Sequence, residues 1–248
     1  MRIIDAHAHL GYDEVFDVDF SEAELLESQK TNGIDVTLVQ PPTVHDLSGV
    51  RRHHDLVADL CKRHPGKFYG IACPNPHLPG DEYETEATRC VKKLGYVGLK
   101  LHPFGHATHP GGRHGQRVFS VAEKLGVPLM IHTGAGIPWS APSLIRPMAV
   151  EHPELKIILA HAGAMILSGE ASQLADDCPN IYLEPSWCGG FLVRSWVNKL
   201  GANRVMLGSD HADNAATELA KYRSIGLTQD ELTWTLGGTA AKVFGLGD

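Results

Sequence analysis

The chain has 248 residues, 43% of them hydrophobic, which suffices for a sizeable core and matches the ~250 residues of a (β/α)8 barrel. Net charge is −7, from 22 Lys and Arg against 29 Asp and Glu, with no basic run beyond Arg51-Arg52, so nucleic acid and an anionic membrane surface are excluded as partners. Apolar runs are too short to span a bilayer and the N-terminus has no signal-like segment, so a cytoplasmic location is expected.

Taken in chain order, the first strand-like run is Ile3–His7, which leads into Asp5-Ala6-His7-Ala8-His9. Alternation places His7 and His9 on one face, where two imidazoles one pleat apart can bind one metal ion. Further runs follow at Asp35–Val39, Lys67–Cys73, Tyr96–Leu101, Val127–His132, Lys156–His161, Asn180–Glu184 and Arg204–Ser209. Their starts lie 24 to 32 residues apart, room for a loop, a helix and a loop each time. The runs are continuously apolar, as in Leu129-Met130-Ile131, which suits parallel strands buried on both faces.

Between them, Ser21-x-x-Glu24 and Thr228-x-x-Glu231 are capping boxes. Helical patterns cover Asp55–His64, Glu82–Leu94, Gln116–Leu125, Ser143–His152, Gly169–Cys178, Phe191–Leu200 and Ala215–Ile225, with Trp234–Phe244 as further C-terminal helix. No linker interrupts the pattern, so residues 1–248 read as a single domain. The expected class is α/β, a (β/α)8 TIM barrel with extra C-terminal helices. A doubly wound open sheet is the alternative, but the first strand is not followed by a Gly-rich phosphate loop. Five scattered cysteines read as reduced thiols.

A barrel gathers all strand ends at one mouth. Those ends carry His7, His9, Lys100, His102, His132, His161, Glu184 and Asp210. A lone histidine ending a strand is ordinarily a capped polar residue, and Asp210 alone can cap a helix. Four strand-end histidines and an aspartate at one end of a barrel point instead to a divalent metal centre, since imidazole favours Zn, Fe, Ni or Cu over Mg or Ca. Glu184 sits among apolar neighbours, where an unpaired carboxylate is costly, so contact with a metal-site residue or substrate is expected, against a salt bridge within the barrel. The polar, Gly-rich loop His102–His114 reads as a specificity loop over the mouth, with His106, His109 and His114 outside the ligand set. Trp139, Trp187 and Phe191 either wall an apolar pocket or simply pack. His53-His54 reads as helix surface.

The ordered set resembles the amidohydrolase superfamily over the whole chain. The phrase Gly95-Tyr96-Val97-Gly98-Leu99-Lys100-Leu101-His102-Pro103, with Pro74-Asn75-Pro76 and Gly208-Ser209-Asp210, is similar to the amidohydrolase-2 branch that holds aminocarboxymuconate-semialdehyde decarboxylase, related aromatic decarboxylases and predicted metal-dependent hydrolases. The resemblance implies His7, His9 and His132 as metal ligands. It makes His161 a ligand or a contact to substrate and bound water, and Asp210 a ligand or the general base. Lys100 stays open between carboxylated bridging ligand, substrate contact and structural residue. Zinc is the expected ion, one or two, with iron or manganese as alternatives, and a homodimer is compatible with the resemblance.

Three functions follow. Leading is metal-assisted hydrolysis of an amide, ester or lactone in a small molecule, with Asp210 as base and His161 steadying the oxyanion. The alternative is a lyase, a non-oxidative decarboxylase of a small aromatic or unsaturated acid, in which Asp210 or His161 protonates carbon and Lys100, Arg113 or Arg146 binds the anion. A non-catalytic metal-binding barrel is the third.

Overall fold

The computed structural model describes residues 1–79, 81–136 and 138–247. Seven strands form one parallel sheet: β1 (Ile4–His9), β4 (Val36–Gln40), β5 (Phe68–Ala72), β6 (Gly98–Leu101), β7 (Leu129–His132), β8 (Ile157–Ala160) and β9 (Ile181–Glu184), in that spatial order. A hairpin not foreseen from the sequence, β2 (Gly11–Asp13) and β3 (Val18–Phe20), lies between β1 and the first helix.

The eighth expected strand, Arg204–Ser209, is not a regular strand. Only Val205 bridges Leu183. The segment still joins both edges of the sheet. Met206 N–H donates to Leu183 O at 2.9 Å, and Ala6 N–H donates to Leu207 O at 3.0 Å. The (β/α)8 TIM-barrel reading therefore holds, with closure carried by extended backbone.

Helices follow the strands: α1 (Glu22–Asn32), α2 (Leu47–Arg63), α3 (Glu82–Lys93), α4 (Arg113–Leu125), α5 (Arg146–Glu151), α6 (Ser168–Asp177), α7 (Gly190–Leu200) and α8 (Ala215–Ser224). The C-terminal region adds α9 (Gln229–Thr233) and α10 (Thr239–Phe244), joined by a π turn over Trp234–Gly238. Both capping boxes are formed, Ser21 with Glu24 at α1 and Thr228 with Glu231 at α9. Among the described residues no helix is long and apolar enough to cross a membrane. All five cysteines are free thiols, and all but Cys61 are buried.

Alternation along each strand sorts apolar side chains into two layers. Leu99, Leu101, Leu129, Ile131, Leu159 and Leu183 face the helices. Ile4, Leu38, Ile71, Met130, Ile158 and Met206 fill the interior, where Val243 and Phe244 of α10 also pack. Gly98 makes room for that helix, since a Cβ there would come within 3.1 Å of the Phe244 ring. Polar side chains at the other end of the same strands then point into the barrel mouth.

Candidate active site

β1 contributes through a register shift. Its pairing with β4 is irregular between Asp5 and Ala8. Ile4 and Ala6 belong to the interior core, whereas His7 and His9 point into the mouth. A bulge of this kind re-aims side chains, and here it moves the inward-facing positions from even to odd numbers. Asp5, to which the sequence reading gave no role, fastens the bend. Its carboxylate accepts Ser209 N–H at 2.9 Å, Ser209 Oγ–H at 2.6 Å and His7 N–H at 3.1 Å. Burial raises Asp5 to about 7 against those hydrogen bonds. Asp210 N–H donates to His7 O at 2.7 Å, completing the junction between β1 and the closing segment.

At that junction His7 Nε2 lies 3.2 Å from His9 Nε2, and both lie close to Asp210 Oδ1, at 3.3 and 3.2 Å. Ligand atoms of His7, His161 and Asp210 all fall within 4.8 Å of one another. Glu184, fully buried, is the hub behind them. It accepts from His7 Nδ1 at 2.7 Å, Ser186 N at 2.7 Å, Ser186 Oγ at 3.2 Å and His161 N at 3.3 Å. His161 Nδ1 is in turn held by Ser186 Oγ at 2.8 Å. These partners fix the tautomers, so the Nε2 atoms of His7 and His161 face the centre as acceptors. Glu184 thus contacts two of the candidate ligands, His7 and His161.

The donor set fits a divalent ion. Burial first, then the charge of Lys100, drives His7 well below its ordinary value, and the same two causes bring His132 down to about 4. Burial likewise lowers His161. Burial opposes ionisation of Asp210, but positive charge at the positions of His161 and His7 outweighs it and holds the carboxyl well below the carboxylate range. The Nε2 atoms of His7 and His161 and the Asp210 carboxylate are acceptors that converge, and acceptors do not hydrogen-bond one another. They can satisfy a cation. His132 lines the same cavity, but its Nε2 donates to Ala135 O at 2.8 Å, and its ring stacks on His102 at 4.1 Å.

Lys100 is buried beside this set, its Nζ 3.1 Å from His7 Nε2. Burial pushes it down to about 8. Strain marks the same place: His161, Trp187 and Asp210 all adopt left-handed φ, at 64°, 66° and 65°. Bulky non-glycine residues rarely do so, and such positions cluster at functional sites. Trp187 is not among the described residues that line the cavity. Its Nε1–H donates to Asp210 Oδ2 at 2.8 Å, leaving Oδ1 toward the histidines. No sequence pattern signalled this bond. Trp139 and Phe191 are exposed and lie outside the cavity.

His102 and Phe104 are the residues of the 102–114 loop that reach the cavity. His114 bonds Pro76 O, and His109 is held within the loop by Gly111 N–H. Arg113 lines a separate cleft with His77 and His114, and Arg146 pairs with Asp177, so neither arginine reaches the mouth. The surface reading of His54 is corrected. His54 is fully buried, with Nδ1 on Glu86 Oε1 at 2.8 Å and Nε2 accepting Cys73 N–H at 3.0 Å. Cys90 completes a metal-like trio there, but Arg89 and Arg51 already occupy both Glu86 oxygens. That cluster is a salt-bridge network.

A family model described as Amidohydrolase (Amidohydro_2) matches residues 4–246. The chain belongs to this amidohydrolase family. It is 30% identical over 147 residues to a gamma-resorcylate decarboxylase of Rhodococcus jostii, covering 46% of this chain and 44% of that protein. It is 27% identical over 192 residues to a 2-keto-4-carboxy-3-hexenedioate hydratase of Sphingobium sp., covering 62% and 56%. The matches thus span about half the length of these curated relatives. Among solved structures, a 5-carboxyvanillate decarboxylase of Novosphingobium aromaticivorans, complexed with manganese and 4-hydroxy-3-methoxy-5-nitrobenzoic acid, superposes with a TM-score of 0.79 at 16% identity, covering 99% of this chain and 96% of that one. At that identity the likeness concerns the fold. As a member of this family, the chain is an enzyme of the amidohydrolase superfamily.

Proposed function

We propose that this amidohydrolase is a metal-dependent, non-oxidative decarboxylase of a small hydroxylated aromatic acid. The observation that carries the reading is the cavity itself. A histidine and aspartate donor set and one buried lysine form its base, and Phe16, Phe20 and Phe104 form its walls. The decarboxylase relative supports this reading over the hydrolytic one expected first.

His7, His9, His161 and Asp210 would hold the ion, with His132 facing it. A bound divalent ion supplies Lewis acidity that fixes the substrate's oxygen atoms and spreads their charge. Manganese, found in the solved relative, takes the place of zinc as the first ion to test. Lys100 presents a cation at the base of the cavity and binds the substrate carboxylate. The phenyl walls hold the ring in place and exclude water. Asp210, ionised at rest, or neutral His161 would take up the substrate's phenolic proton and deliver it to the ring carbon that bears the carboxylate. The carbon–carbon bond then breaks, its electron pair restores the aromatic ring, and carbon dioxide leaves. Glu184 and Ser186 keep the two histidines in the required tautomer throughout.

The test is carbon dioxide release from 2,6-dihydroxybenzoate by the manganese-loaded protein, with Asp210→Asn as control. Release by the wild type and loss in the variant are expected. An acid product carrying oxygen-18 from labelled water, formed from an ester or lactone with no carbon dioxide, would establish hydrolysis instead.

A further inference from the structure

The relatives differ in how many carboxylates their named compounds bear. Gamma-resorcylate has one, whereas 5-carboxyvanillate and 2-keto-4-carboxy-3-hexenedioate have more. The cavity of this chain has features that decide between these classes.

It encloses about 290 Å³, and among the described residues that line it Lys100 is the only lysine or arginine. Lys100 sits at the base, beside His7. The outer wall is formed chiefly by the phenyl groups of Phe16, Phe20 and Phe104. The Phe16 ring lies 5.5 Å from that of His102 and 5.8 Å from that of Phe104. Phe104 is seated on Gly136, where a Cβ would fall 2.4 Å from its ring.

The single carboxylate in that outer wall belongs to the protein. Asp13, only 6% exposed, lines the cavity at the turn of the β2–β3 hairpin. Its Oδ1 accepts the N–H groups of Val15 and Phe16, at 2.9 and 3.0 Å, and its Oδ2 accepts Thr43 N–H at 3.3 Å. These bonds tie the hairpin to the segment after β4 and fix where Phe16 points.

We infer that the site takes substrates with one carboxylate and an apolar far edge, and that Asp13 and Phe16 together reject a second carboxylate. The inference rests on the proposed function only for placing the first carboxylate beside Lys100. A second one on the far side of the ring meets phenyl groups, which return no hydrogen bond. It also meets the Asp13 carboxylate, a like charge in a partly buried setting.

The test uses the full chain loaded with manganese and two matched rings, 2-hydroxybenzoate and 4-hydroxybenzene-1,3-dicarboxylate, titrated calorimetrically. The monoacid is expected to bind at least about tenfold more tightly. Phe16→Arg, which puts a cation on the far wall, is expected to tighten binding of the diacid by about tenfold and to leave the monoacid without a gain. Equal or tighter binding of the diacid by the wild type overturns the inference. So does a Phe16→Arg protein with wild-type melting temperature and manganese content that keeps the wild-type preference. Binding of neither ring overturns both this inference and the reading it rests on. Discrimination without carbon dioxide release from any monoacid overturns the reaction alone and upholds the selectivity.

Discussion

Glu86→Gln probes the network that turned His54 from a surface residue into a buried one. Glu86 is fully buried, and its carboxylate takes a two-pronged contact from Arg89, at 2.8 and 2.9 Å, with further bonds from His54 at 2.8 Å and Arg51 at 3.2 Å. Breaking a buried ion pair costs ~3–5 kcal/mol because the remaining charge is stranded. Arg89 is a quarter exposed and Arg51 nearly half exposed, so water compensates both in part, and the exposed Arg51 contact adds little. The expected loss at pH 7 is therefore at the low end, about 3 kcal/mol. Burial alone would raise Glu86, but the hydrogen bonds from His54 and Arg89 outweigh it and hold the group below its usual range. A carboxylate depressed in the folded state contributes stability above its unfolded value of ~4.3 and loses it as pH falls through the folded value. Burial also lowers His54, so its contribution is present above ~6.5 and declines below that. Wild-type stability should thus fall in two stages on acidification, and the gap to Glu86→Gln should narrow below about pH 4. Equilibrium urea unfolding from pH 7 to pH 3 measures both. A difference under about 1 kcal/mol at pH 7, or one constant across that range, refutes the argument.

Other expectations bear on the mouth. Trp187→Phe removes the indole donor to Asp210 Oδ2 while keeping the ring, and should lower manganese affinity or kcat/KM by about 10–100-fold; unchanged calorimetry and kinetics would show that the strained Trp187 is incidental. Lys100→Ala should leave manganese at its wild-type stoichiometry and raise KM for an aromatic monoacid, whereas loss of metal by elemental analysis would make Lys100 a ligand. Manganese at 100 times its Kd should stabilise the fold by about 2.7 kcal/mol, and His161→Ala should abolish most of that gain in a thermal melt.

The strand-end residues were legible because two simple periodicities agree. Alternation fixes which side chains enter the barrel, and parallel connection brings every strand end to one mouth. Lys100, His102, His132 and Asp210 line one cavity for that reason, whereas His7 and His9 reach it through the irregularity in β1 and His161 through the turn after β8. Glu184 was legible through cost, since a carboxylate among Leu183 and its neighbours needs partners. Residues whose roles depend on distant parts of the chain were not legible. His54 is internal because Glu86 and the Cys73 amide lie across from it, and neither leaves a local pattern. The hairpin strands have three residues each, too short for alternation to register, so Asp13, Phe16 and Phe20 went unread. The eighth strand read from Arg204–Ser209 is extended but forms one bridge, because Leu207 N–H donates to Thr235 O and Ser209 N–H to the Asp5 carboxylate in place of a strand backbone.

The shift in β1 shows how core and chemistry share one short strand. With regular alternation Ile4, Ala6 and Ala8 would all face inward, and the histidines would point to the helices. One irregularity between Asp5 and Ala8 lets the lower half pack on Met130 and Met206 while the upper half supplies His7 and His9. An extra residue in a strand leaves amides to be satisfied. Asp5 satisfies two of them, from His7 and from Ser209 on the segment that closes the barrel. The same carboxylate therefore shapes the bend and locks the strand that carries Asp210. Geometry at the donor set and closure of the barrel are in this way one structural event, and a change that loosens Asp5 should be felt at the metal before it is felt in the rest of the core.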